Sequence, residues 1–126
     1  MTTKKADQSQ KATRTIATNR KAFFDYEILD RFEAGLVLTG TEIKSVRAGK
    51  IDLRDAYARV QNGELWLVNA HIALYDAGSI YNHDPKRPRK LLMHREEIDK
   101  LRSIIAERGV TLVALSIFIK GHVAKV

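Results

Sequence analysis

The chain contains no cysteine. Disulfide scaffolds, zinc ribbons, thiol nucleophiles and redox pairs are all excluded. It has only two prolines, and its seven glycines are scattered. They form neither the G-x-x-x-x-G-K-S/T phosphate loop nor the G-x-S-x-G elbow. Long hydrophobic runs are also missing. The longest, Val110 to Ile119, is broken by Thr111 and Ser116 and is too short to span a bilayer. The basic N-terminus has no apolar stretch of the signal-peptide kind, so the expected compartment is the cytoplasm.

What is present is one domain's worth of chain. The sequence has 126 residues, 44% hydrophobic and 29% charged. That supports one core and excludes wholesale disorder. There are 22 Lys and Arg against 15 Asp and Glu, a net charge of +7, and the pI is about 9.8. Such a balance points to a polyanionic partner, nucleic acid or an acidic membrane surface. The charge is clustered. Residues 1–21 carry six basic groups and one acid, and residues 86–95 carry five basic groups and no acid. The stretch between them is acidic overall. Clusters of this kind cradle phosphates, because each neutralised phosphate releases counterions and the gains accumulate.

Residues 1–18 are rich in Thr, Lys and Gln and nearly devoid of apolar content. They read as a flexible basic arm, either inert or ordering on RNA. The folded domain is expected over residues 19–126, with structure beginning near Phe23. Tyr26, Ile28 and Phe32 alternate with charged residues as in a half-buried strand, and Gly35 reads as a bulge or sharp bend. Thr41 can cap a short helix that Gly49 stops. Leu53, Ala56, Ala58 and Val60 point inward on a strand. Asn62-Gly63 marks a tight hairpin, because both residues accept positive φ. The return strand runs from Glu64 to Ile72, and its apolar stretch Leu65-Trp66-Leu67-Val68 predicts burial on both faces. Residues 76–90 read as a long basic loop. Residues 94–108 form the clearest helix, with Ile98, Leu101, Ile104 and Ile105 as its stripe and Gly109 as its left-handed stop. Val110 to Ile119 reads as one strand, Lys120-Gly121 as a turn, and His122 to Val126 as the start of another strand. The predicted class is mainly β with flanking helices: a small antiparallel barrel.

No catalytic constellation emerges, and the expectation is a protein that is not an enzyme and needs no cofactor or metal. The histidines 71, 83, 94 and 122 form no H-E-x-x-H pair. His83-Asp84 reads as a hydrogen-bonded surface pair or, alternatively, a proton-transfer pair. Asp25, Glu27, Asp30, Asp52 and Asp55 are either solubilising acids or carboxylates for magnesium in a nuclease. Trp66 is either core or a surface for stacking a base. Phe23-Phe24, beside Arg20-Lys21, is either an aromatic RNA surface or the start of the core.

Several longer segments, in order, carry a specific resemblance. They are Asn19-Arg20-Lys21-Ala22, Phe32-Glu33-Ala34-Gly35, and Leu38 through Lys50, which reads LTGTEIKSVRAGK. Asn69-Ala70-His71-Ile72, then Asp84 through His94, which reads DPKRPRKLLMH, and Ala124-Lys125-Val126 complete the set. From about Asn19 to Val126 the chain resembles the small protein B (SmpB) family, the SsrA-binding proteins that accompany transfer-messenger RNA (tmRNA). The resemblance implies an oligonucleotide-binding-type (OB-like) β-barrel and binding to the tRNA-like domain of tmRNA. It further implies delivery with elongation factor Tu to stalled ribosomes, occupation of the small-subunit decoding region, and rescue by trans-translation.

The family's RNA-contact positions fall on Asn19, Glu33 and Leu92. Lys21, Lys44, Arg47, Arg89 and Lys90 are added as phosphate or sugar contacts, on charge and placement. An acid such as Glu33 meets RNA by accepting hydrogen bonds from base donors or 2′-hydroxyls, or by orienting a neighbouring arginine. It also reads as a turn acid bonded to local backbone, and Leu92 as core packing. Two departures stand out. Phe23-Phe24 replaces a basic residue and a histidine usual in relatives. The chain stops at Val126, where the family continues through the rest of a barrel strand, a Gly-Lys-Lys segment and a long basic tail that enters the messenger channel. A chain of this length is expected to bind tmRNA but not to support tagging. The competing classes are a generic oligonucleotide-binding module for single-stranded RNA, a magnesium nuclease and a ribosomal structural protein.

Overall fold

Residues 13–75 and 82–126 are described in the computed structural model of the chain. Ten strands and three helices occur among them. In chain order they are β1 (Thr13–Thr18), α1 (Arg20–Asp25), β2 (Gly35–Leu36), α2 (Gly40–Arg47), β3 (Ile51–Asp52), β4 (Tyr57–Gln61) and β5 (Glu64–Val68). They continue with β6 (His71–Ile72), β7 (Arg89–Leu92), α3 (Arg95–Arg108), β8 (Leu112–Val113), β9 (Ser116–Lys120) and β10 (Val123–Lys125). Eight strands form one antiparallel sheet in the order β1-β9-β10-β2-β7-β5-β4-β8, and β3 pairs with β6 apart from it. The sheet curls into a half-barrel, so the mainly-β, barrel-like expectation holds.

The strands form where the side-chain period of two meets a core on one side only. In β5, Leu65 and Leu67 are buried while Trp66 and Val68 are half-buried. Burial on both faces, expected from the run of apolar residues, is therefore corrected. Trp66 belongs to the outer face and is not core. The hairpin from β4 to β5 turns on Asn62 and Gly63, with φ of 53° and 76°, as the dipeptide predicts. The inward series Leu53, Ala56, Ala58 and Val60 lies in or against the core, which centres on Leu36, Val46, Leu67, Ile72 and Ile117.

Helix α2 starts from a capping box. Glu42 N–H donates to Thr39 Oγ1, and Thr39 N–H donates to Glu42 Oε1 at 2.8 Å. The cap is Thr39 and not Thr41, because only Thr39 has the acid three positions on. Gly49 follows the helix in left-handed geometry, as expected of its stop. Helix α3 is the predicted one, buries Ile98 and Leu101, and ends on left-handed Gly109.

Four further expectations are corrected. Thr13–Thr18, taken with the arm, form β1 and pair with β9; β9 supplies the backbone partners that this polar segment's own side chains do not advertise. Residues 1–12 of the expected arm lie outside the described residues. Tyr26 to Ala34 form no strand, since the sheet positions beside β10 and β7 are taken by β2. Gly35 is not a bulge. It pairs in register with both Lys125 and Leu92, and its missing side chain lets Leu92 lie across it; an added Cβ would stand 3.4 Å from Leu92 Cβ. The run Val110 to Ile119 divides into β8 and β9. At the break the Asn19 side chain donates to Ala114 O at 2.9 Å, and Asn19 N–H donates to Leu115 O.

Candidate nucleic-acid interface

The residues expected to meet RNA fall into three groups, with Lys21 apart from them. The first is buried. Asn19 is 3% exposed. Its amide nitrogen donates to Leu53 O at 2.8 Å and Ala114 O at 2.9 Å, and its oxygen accepts from Ala22 N–H at the start of α1. Every polar atom of the side chain is thus engaged in holding the start of α1 to the segment before β4 and to the link between β8 and β9. In this structure Asn19, expected at the RNA surface, is an internal tie.

Arg89 is internal in the same way. It belongs to β7, not to the loop, and its side chain is fully buried. Its guanidinium donates to Glu42 Oε2 at 2.7 Å and to the carbonyls of Ala70, Asp84 and Pro85. Glu42, also fully buried, accepts from Arg87 as well. Burial pushes the Glu42 carboxyl up, but the hydrogen bonds from Arg87, the Thr39 backbone and Arg89 outweigh it and hold it below the usual carboxylate range. Burial likewise draws Arg89 below the usual guanidinium value, against its pairing with Glu42. The cluster fixes the basic segment before β7 onto α2.

His83 belongs to this buried ground too. Its Nε2–H donates to Ile72 O, and Nδ1 accepts from the Thr41 hydroxyl, each at 2.9 Å. The expected pairing with Asp84 is therefore corrected: Asp84 accepts from the Lys86 backbone instead.

The second group lies on the open face of the sheet. Directly paired residues of neighbouring strands share a face. Lys125, Gly35 and Leu92 form such a row across β10, β2 and β7. Glu33, two positions before Gly35, accepts from Lys125 Nζ at 3.1 Å. Leu92 is 54% exposed, so core packing does not account for it. Lys90 shares its face by the two-residue period and pairs with Glu64. Glu33, Leu92 and Lys90 are thus gathered on one surface. Lys125 was missed as a site residue by sequence reasoning; only the cross-strand register brings it to Glu33.

The third group surrounds α2. Lys44 and Arg47 project from it exposed. Lys44 Nζ stands 5.4 Å from the centre of the Tyr75 ring, and Arg14 of β1 donates to Arg47 O. Lys21 stands apart from both groups, 3.5 Å from Asp55. Phe23 and Phe24 are 42% and 93% exposed, so neither starts the core, and Arg31 lies over the Phe23 ring. A cleft of about 760 Å³ opens between α3, the residues after α1 and the sheet, with Phe23, Tyr26, Leu29, Phe32, Leu101 and Ile104 among its lining.

Among the described residues no three His, Asp or Glu side chains come together as a metal site. Asp52, one of the candidate magnesium carboxylates, is held below its usual range by hydrogen bonds from Arg54. No helix of the described residues is long and apolar enough to cross a membrane.

Comparison with known proteins follows the same line. Residues 16–126 match the family model described as SmpB protein. The SsrA-binding protein of Carboxydothermus hydrogenoformans is 56% identical over 111 residues, 88% of this chain and 74% of that protein. The SsrA-binding protein of Ligilactobacillus salivarius is 54% identical over 119 residues, 94% and 77% of the two chains. That of Limosilactobacillus fermentum is 58% identical over 111 residues, 88% and 71%. A solved structure described as "tmRNA-SmpB: a journey to the center of the bacterial ribosome" superposes with a TM-score of 0.71. It is 48% identical and covers 86% of this chain and 77% of its own. The chain belongs to the SmpB protein family, whose members here carry the name SsrA-binding protein.

Proposed function

We propose that this protein is a non-enzymatic RNA-binding adaptor in the cytoplasm. It binds the tRNA-like domain of tmRNA and supports delivery of that RNA, with elongation factor Tu, to the decoding region of stalled ribosomes in trans-translation. The observation that carries the reading is the gathering of Glu33, Lys125 and Leu92 around Gly35 within a chain of this family. Glu33 held by Lys125 presents acceptors for base donors or 2′-hydroxyls without a bare negative charge, and Leu92 presents an apolar contact for a base or sugar. Lys90 beside them, Lys21 on α1, and Lys44 and Arg47 on α2 supply cations for the RNA backbone.

The test is binding to the isolated tRNA-like domain of tmRNA, with ordinary tRNA and a single-stranded oligomer as competitors, over a salt series. With about five phosphates neutralised, affinity falls by roughly two to three decades between about 50 and 200 mM salt. Preference for the tRNA-like domain persists at the higher salt, and the RNA is recovered uncleaved. Equal binding of all three RNAs that vanishes with salt contradicts the reading.

A further inference from the structure

The face that carries Leu92 does not end at β7. Lys90, two positions before Leu92, lies opposite Trp66 of β5, and Trp66 lies opposite Arg59 of β4. Residues facing each other across neighbouring strands share a side, and residues two apart on one strand share it too. Arg59, Trp66, Lys90, Leu92 and Lys125 therefore occupy a single side of the sheet. The alternate positions, Leu65, Leu67, Arg89 and Leu91, are the buried ones. Trp66 is half-buried in this outer row, between two cations about 10 Å apart across the strands. Lys90 pairs with Glu64. Arg59 is exposed, and no carboxylate among the described residues pairs with it.

A large ring on an open sheet face, continuous with the surface already assigned to RNA, has a specific chemical use. The indole's flat side stacks on any unpaired base, and a free guanidinium beside it takes the adjoining phosphate. We propose that the RNA-binding surface extends across β7, β5 and β4, with Trp66 stacking on an unpaired base of the bound RNA and Arg59 contacting its phosphate. This rests on the RNA-adaptor reading above and adds two residues to it.

Trp66 is the chain's single tryptophan, so its emission reports on this position alone. The isolated tRNA-like domain of tmRNA, carrying a fluorescent label, is titrated with the protein, and anisotropy gives the affinity. The same pair is titrated in reverse without label while Trp66 emission is read. Stacking quenches the emission along the same binding curve. Trp66→Leu weakens binding about tenfold, Trp66→Phe retains most of it, and Arg59→Gln lowers the salt slope by about one. Circular dichroism and thermal melting of each variant exclude unfolding as the cause. Binding with unchanged emission and unchanged affinity in Trp66→Leu overturns the stacking proposal and leaves the adaptor reading standing. Absence of binding in the anisotropy titration overturns both.

Discussion

Glu42 joins more of the molecule than any surface acid. It closes the capping box of α2 with Thr39 and meets Arg87 and Arg89 across the core boundary. Its folded pKa lies below the ordinary 4.5, so its contribution to stability is present above about pH 4.5. It is lost as pH falls through the folded value, where the unfolded chain takes up the proton first. Glu42→Gln leaves a buried guanidinium uncompensated and is expected to cost about 3–5 kcal/mol at neutral pH. Its acid denaturation curve flattens accordingly, as urea unfolding across a pH series checks. Leu92→Ala is the opposite case. Its side chain is exposed, so stability stays within about 0.5 kcal/mol, while affinity for the tRNA-like domain falls several-fold in an anisotropy titration. Neither role was readable from the residue alone. Arg89 in a run of cations looks like a phosphate contact, and only the parity of β7 turns it inward between Leu67 and Ala70.

At the level of elements, sequence signals were good where they were local. Asn62-Gly63 and Gly109 impose positive φ, and the stripe of α3 repeats at helical spacing, so hairpin and helix appeared where expected. Gly63→Ala, at φ of 76°, is expected to cost about 1 kcal/mol and lower the melting temperature by a few degrees. Calorimetry reads it directly. Elements defined by a distant partner were not legible. β1 is a polar hexapeptide that becomes a strand because β9 is there to pair with it, and the short α1 depends on Asn19, whose side chain is aligned by Leu53 and Ala114. The alternation of Tyr26, Ile28 and Phe32 misled because a period of two states a preference for a sheet and cannot say whether a place in one is free.

On the scale of the whole molecule, the candidate contacts divide between the open face of the sheet and the α2 surface. Arg47→Ala, on the α2 surface and paired to no carboxylate among the described residues, is expected to weaken all RNAs about equally and to reduce the salt slope by about one. Leu92→Ala is expected instead to weaken the tRNA-like domain more than its competitors. Comparing the two variants in one competition series separates general backbone attraction from selective recognition. The family resemblance named Glu33 and Leu92, which the structure places on one surface, whereas Lys125 entered only through the register of β10 against β2.

The tie between Asn19 and Ala114 joins positions 95 residues apart, and β1 depends on a partner just as remote. A chain grows from one end at about 5–20 residues per second, so β1 emerges roughly 5–20 s before the strand that completes its ladder. Loop closure over such a span is slow compared with forming the β4–β5 hairpin or α3. Assembly is therefore ordered in time: the middle of the sheet can form early, while the seam that seats α1 closes only when synthesis has passed residue 120.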